Sequence, residues 1–120
     1  MTDKVLFITD AYKDLNIKKD TSILMIEEAI SLGFNSFQCE INDLYIDEGI
    51  VYDASREILS AGSTQVEGIS KQEIRLSDFK FSFMRKDPPV NESYINSLHL
   101  LGLAEKQGAV VFNKIGRAHV

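Results

Sequence analysis

The sequence predicts an α/β layer fold, a mostly parallel sheet with a β-rich insertion, on three observations. Short β-branched and aromatic runs alternate with segments of helical periodicity. The first strand, helix and second strand fit within about forty residues, the size of a βαβ unit with a right-handed crossover. A turn signal, Asp47-Glu48-Gly49, interrupts that alternation in the middle of the chain.

The elements follow in order. KVLFIT (Lys4–Thr9) is apolar throughout, the pattern of a strand buried on both faces. After a polar loop, DTSILMIEEAISLGF carries Ile23, Ile26, Ala29 and Ile30 at helical spacing, with Leu24 and Met25 widening the stripe. Asp20 or Thr21 can cap its start and Gly33 can supply a left-handed exit. NSFQCEI is the second strand. LYIDEGIVYDASREIL places two strand-like pieces around the turn, with Tyr45 and Tyr52 as a cross-strand pair. SAGSTQVEGISKQEIRL alternates weakly and reads as further ribbon or loop. FKFSFM is the third core strand. Pro88 and Pro89 then stop the chain, Asn91 caps a helix buried through Tyr94, Leu98, Leu101 and Ala104, and Gly108 ends it before AVVFN (Ala109–Asn113).

One domain is expected from 120 residues, and 44% hydrophobic content suits a packed core. The net charge of −5, with the signs interspersed, offers no basic stripe for phosphates, so no nucleic-acid partner is expected. No apolar run reaches the ~20 residues of a membrane helix, and MTDKVLFITD lacks a cleavage site, so no membrane partner is expected either. One cysteine, Cys39, cannot form an internal disulfide and points to a cytoplasmic location. The last six residues, IGRAHV, are the translation of ATC GGA AGA GCA CAC GTC, a common sequencing-adapter string. Residues 115–120 are therefore expected to be adapter-derived and 1–114 native, which removes His119 from site reasoning.

Ligands of open parallel sheets sit outside the carboxyl ends of the strands. Three such ends here carry polar loops: Asp10 with NIKKD (Asn16–Asp20), then Arg85-Lys86-Asp87, then Asn113-Lys114. Converging, they form a net positive cleft of Asp10, Lys18, Lys19, Arg85, Lys86, Asp87 and Lys114, suited to a small ligand with several carboxylates and an ammonium group. Arg85 offers a planar fork, and the two prolines hold the loop in advance of binding. On spacing alone, Arg85 and Asp87 read equally well as a surface ion pair contributing under ~1 kcal/mol. Lys18 and Lys19 read more simply as solvated lysines ahead of a helix, and Cys39 as core, with no base beside it; His99 falls on the exposed side of its helix. There is no Gly-x-Gly-x-x-Gly after the first strand, no P-loop and no Cys/His cluster of metal-ligand spacing.

NIKKDTS, NDLYIDEGIVY, MRKDPPVNESYI and VVFNK occur in one order and spacing across Val5 to Lys114. Together they resemble the amino-terminal domain of bacterial glutathione synthetases. The likeness is weakest between Ala54 and Ser77, and Asp10-Ala11 stands where that family usually has Asp-Pro. The resemblance implies a three-layer, Rossmann-like pre-ATP-grasp fold forming one wall of a substrate cleft. It implies a full-length ATP-grasp ligase that joins γ-glutamylcysteine to glycine through an acyl phosphate, using ATP and Mg²⁺ held by an ATP-grasp domain absent here. Arg85 is then the first candidate to clamp a substrate carboxylate and Lys18 the second. Asp87 and Asp10 would orient those cations or meet the substrate ammonium, and Asn16, Lys86 and Asn113 would support them. No catalytic or metal residue is expected within this chain, which is expected to be inactive alone, and the full-length protein is expected to form a homo-oligomer. The alternatives are a free-standing small-molecule binding module and the front domain of another ATP-grasp ligase. Sequence downstream of Lys114 separates the first from the ligases, and acceptor specificity separates the ligases.

Overall fold

The computed structural model describes residues 3–11, 21–59, 70–86 and 90–113. Among them run β1 (Lys4–Ile8), α1 (Thr21–Ser31), β2 (Asn35–Cys39), β3 (Leu44–Asp47), β4 (Ile50–Ile58), β5 (Gln72–Arg75), β6 (Phe81–Met84), α2 (Glu92–Lys106) and β7 (Val111–Asn113). The strands join in the order β3-β4-β2-β1-β6-β7, with β5 also on β4. The centre, β2-β1-β6-β7, is parallel. Strands β3, β4 and β5 are antiparallel.

β1 is central because its residues are apolar on both faces. Leu6 and Ile8 enter the core under α2, while Val5 and Phe7 enter the core under α1. The first crossover, β1 to β2 through α1, and the last, β6 to β7 through α2, run in opposite directions across the sheet. Right-handed connections then put the two helices on opposite faces. In α1, Ile23 and Ile26 are fully buried, as the stripe predicts. Leu24, predicted to widen the stripe, is 55% exposed: one residue past Ile23 is a 100° rotation, which carries it off the buried face. α2 buries Tyr94, Ser97, Leu101 and Ala104 and half-buries Leu98. Its Asn91 cap accepts a hydrogen bond from the Tyr94 amide at 3.0 Å.

The hairpin turn is Glu48-Gly49, with φ of 50° and 81°. Two successive positive φ values match the right-handed twist of the flanking strands, and Gly49 supplies the second at little cost. Tyr45 and Tyr52 face each other in register and stack at 5.5 Å. β5 resolves part of the weakly alternating stretch as a third ribbon strand, tied across β4 by the Tyr45 hydroxyl donating to Glu73 at 2.6 Å. β4 serves both parts: its start pairs with β3 and β5, and Arg56–Ile58 pair with β2. The ribbon curls onto α2, where the Gln107 side chain accepts from the Val51 amide at 3.1 Å and donates to the Gly49 carbonyl. Sheet, helices and ribbon make the three-layer α/β, Rossmann-like architecture.

The buried face of β4 carries an anomaly. Val51, Asp53 and Ser55 share it, and the Asp53 carboxylate is fully buried with no hydrogen-bond donor in good geometry among the described residues. Burial pushes Asp53 up to about 7, the nearby Asp43 carboxylate adds to the rise, and the Ser55 hydroxyl and the backbone oppose it. Cys39 packs in the same core, and burial, with Asp53 and Asp43 adding, raises its thiol well above the ordinary value. A thiol held neutral is a poor nucleophile. Cys39 is a packing residue.

Candidate functional site

The carboxyl ends of β1, β2 and β6 lie side by side, so the residues that leave them share one edge. Backbone bonds fix the positions: the Thr9 amide donates to the Cys39 carbonyl at 2.9 Å and the Arg85 amide to Ile8 at 2.8 Å. Successive residues after β6 therefore diverge to opposite faces. Arg85 turns toward the start of α1, its Nε 3.5 Å from the Ser22 hydroxyl. Lys86 turns toward the start of α2 and pairs with Asp10, Nζ to Oδ1, at 2.8 Å.

On the α2 side this edge opens into a cleft of about 280 Å³, at the small end of ligand pockets. Asp10, Glu40, Asn42, Lys86, Asn91 and Ser93 supply its polar lining. Each is placed by local structure. Glu40 and Asp43 form a reciprocal capping box on the short turn after β2, with the Glu40 amide donating to Asp43 at 2.8 Å. Lys71 anchors that turn from the ribbon through Asp43 at 2.7 Å. Asn91 and Ser93 come with the capped first turn of α2.

Gln38 holds the β1 end in place. Its buried amide nitrogen donates to Thr9 Oγ1 at 3.0 Å and lies 3.4 Å from the Asp10 carbonyl, while the Thr9 hydroxyl donates to that same carbonyl at 2.6 Å. The turn carrying Asp10 is thus fixed from within the sheet rather than from solvent.

Of the residues singled out in the sequence, Asp10, Arg85, Lys86 and Asn113 are described. Asp10 and Lys86 are in contact, Arg85 stands beside them on the other face, and Asn113 ends β7 opposite Met84 at the same edge without lining the cleft. Lys18, Asn16, Asp87, Lys19 and Lys114 lie outside the described residues, as do the Asp20 cap, Pro88 and Pro89. Sequence reasoning missed Gln38, Glu40, Asn42, Ser22 and Ser93. The signal for Glu40 was present: it follows a strand directly, as Asp10 follows the end of β1.

The described lining carries Asp10 and Glu40 against Lys86, so it is negative by one charge rather than positive and favours an ammonium group. Arg85, one strand face away, favours a carboxylate. Among the described residues no three His, Cys, Asp or Glu side chains come together as metal ligands. No helix there is long and apolar enough to cross a membrane.

The family model of the prokaryotic glutathione synthetase N-terminal domain matches residues 4–117. The glutathione synthetase of Vibrio vulnificus strain YJ016 is 34% identical over 116 residues, covering 95% of this chain and 36% of that protein. That of Vibrio parahaemolyticus is 36% identical over 113 residues, covering 92% and 36%. That of Buchnera aphidicola from Schizaphis graminum is 34% identical over 113 residues, covering 92% and 35%. The chain spans little more than a third of the length of these curated relatives. With the domain model and the relatives agreeing along nearly all of its residues, the chain belongs to the prokaryotic glutathione synthetase family as its N-terminal domain.

Proposed function

We propose that this chain is the substrate-side domain of a cytoplasmic ATP-grasp ligase that joins γ-glutamylcysteine to glycine. The overall reaction transfers the γ-phosphoryl group of ATP to the cysteinyl carboxylate, and the glycine amine then displaces phosphate to form the amide. In this proposal ATP and Mg²⁺ are held by the remainder of the full-length protein, and these 120 residues alone turn over no substrate.

The role of this domain is to hold the dipeptide. γ-Glutamylcysteine carries one ammonium and two carboxylates at pH 7. Asp10 and Glu40 suit the ammonium and Arg85 a carboxylate, across the ends of adjacent strands. Lys86 is held by Asp10 and keeps two neighbouring carboxylates from repelling each other. Lys18, Asn16, Asp87 and Asn113 are further contacts in this proposal. The observation that carries the reading is the divergence of Arg85 and Lys86 to opposite faces at one edge, each held by a partner from a different strand or helix.

The experiment is an ADP-release assay on the full-length protein. Release that requires both γ-glutamylcysteine and glycine is the expected result. Release with other acceptors but not glycine ends the glutathione assignment, and no release with any acceptor ends the ligase reading.

A further inference from the structure

Among the described residues, the outer half of the sheet is packed on one face and only partly covered on the other. Ala109 and Val111 are buried under α2, while the alternate residues Val110 and Phe112 are 44% and 41% exposed. Phe7, Phe83 and Phe112 stand in register on three parallel strands, and their rings stack at 5.3 Å in each step. The Phe81 ring lies 5.9 Å from Phe112, extending the apolar surface. Between this row and α1 runs a groove of about 280 Å³ whose lining is apolar apart from Glu28.

Topology explains the vacancy. α1 packs over β1 and β2 and reaches only Phe81 and Phe83 of β6, and α2 takes the opposite face, so the described residues leave Val110 and Phe112 at the outer end of the sheet well exposed on the α1 side. Parallel sheets are covered on both faces, and aromatic rings on β6 and β7 are what a covered face requires.

We propose that an amphipathic helix from the chain following Lys114 in the full-length protein seats on this aromatic row, alongside α1. Three considerations favour that occupant. The curated relatives extend well beyond the matched region, which is 36% of their length, so a following chain of ample size is expected. β7 itself carries Phe112, so the chain leaving that strand starts beside the surface. The spacing also fits. A helix over the β6–β7 seam lies two strand spacings, about 9.6 Å, from one over the β1–β2 seam. Packed helices stand about 8–10 Å apart. The helix would present apolar residues at i, i+3, i+4 and i+7 to the rings, with a Lys or Arg placed to meet Glu28.

The test uses the full-length protein carrying Val110→Cys, and separately Phe112→Cys in case one variant perturbs folding. Labelling by N-ethylmaleimide is followed by mass spectrometry. Cys39 is buried with a raised thiol pKa and gives a slow background. The expected result is labelling slower than free cysteine by about 30-fold or more at high and low protein concentration alike. Labelling near the free-cysteine rate overturns the proposal. Protection that disappears on dilution also overturns it and makes a second copy the occupant. Neither readout depends on ligase activity, so the outcome stands whether or not the glutathione assignment does.

Discussion

Lys86 Nζ lies 2.8 Å from Asp10 Oδ1, tying the carboxyl ends of two neighbouring parallel strands by one ion pair. Both side chains are partly exposed, so the pair itself adds only ~0.2–1 kcal/mol to stability. Its larger consequence is positional: each charge fixes the other at the mouth of the cleft. Under the proposed dipeptide-binding role, Asp10→Asn and Lys86→Met in the full-length protein are each expected to raise KM for γ-glutamylcysteine while shifting unfolding midpoints little. A double variant whose KM is the product of the two single effects would show that the residues act independently and would overturn this arrangement.

Arg85→Lys tests the fork. Lysine keeps the charge but cannot bind a carboxylate through two parallel N–H donors. The expected result is a KM for the dipeptide raised by a factor corresponding to ~1.5–3 kcal/mol, with the unfolding curve unchanged. Steady-state kinetics at saturating ATP and glycine checks it, and an unaltered KM removes Arg85 from the substrate contacts.

Asp53 makes stability depend on pH. Its folded pKa, about 7, lies above the ordinary carboxylate value because burial disfavours the charge. Between those two values the folded state holds a proton that the unfolded state has released. Raising the pH through this window therefore lowers stability, and lowering it restores stability. Asp53→Asn removes the ionisable group and is expected to stabilise the domain at pH 8 by ~2–4 kcal/mol, the gain shrinking as the pH falls from about 7 toward the ordinary carboxylate value and vanishing below it. Urea unfolding at pH 4, 6 and 8 measures it. An equal effect of the variant at all three pH values would show that Asp53 titrates normally.

Asn91→Ala removes the side-chain acceptor for the Tyr94 amide and is expected to cost ~0.5–2 kcal/mol. Asn91→Asp, which preserves the acceptor, is expected to be close to neutral. Thermal unfolding of both variants separates loss of the cap from a packing change.

The elements set by local chemistry were legible. The Glu48-Gly49 turn, the Asn91 cap and the glycines at 33 and 108, with φ of 92° and 103°, each sit where the sequence put them. Periodicity located Ile23, Ile26, Tyr94, Leu101 and Ala104 in the core. What depended on strand register was not legible. Gln38 reads as an ordinary polar residue in a strand, and only its alignment beside β1 reveals the hold on Thr9 and Asp10. Asp53 had a visible signal, since it shares the parity of Val51 along β4, but a carboxylate on the inward face contradicts the usual pattern. At the candidate site, Asp10, Arg85 and Lys86 came from their places at strand ends. Glu40 and Ser93 needed the third dimension, because different turns bring them to the same cleft.

The insertion and the main sheet have one strand in common. A segment grafted onto a fold can be cut away where its ends meet, leaving the host intact. Here β4 both carries the ribbon and supplies β2 with its outer neighbour. Excising the ribbon would leave β2 with a row of unanswered amides and carbonyls, a template for pairing with another molecule. Trimming the domain toward a minimal Rossmann-like core would therefore yield a sticky sheet rather than a smaller protein.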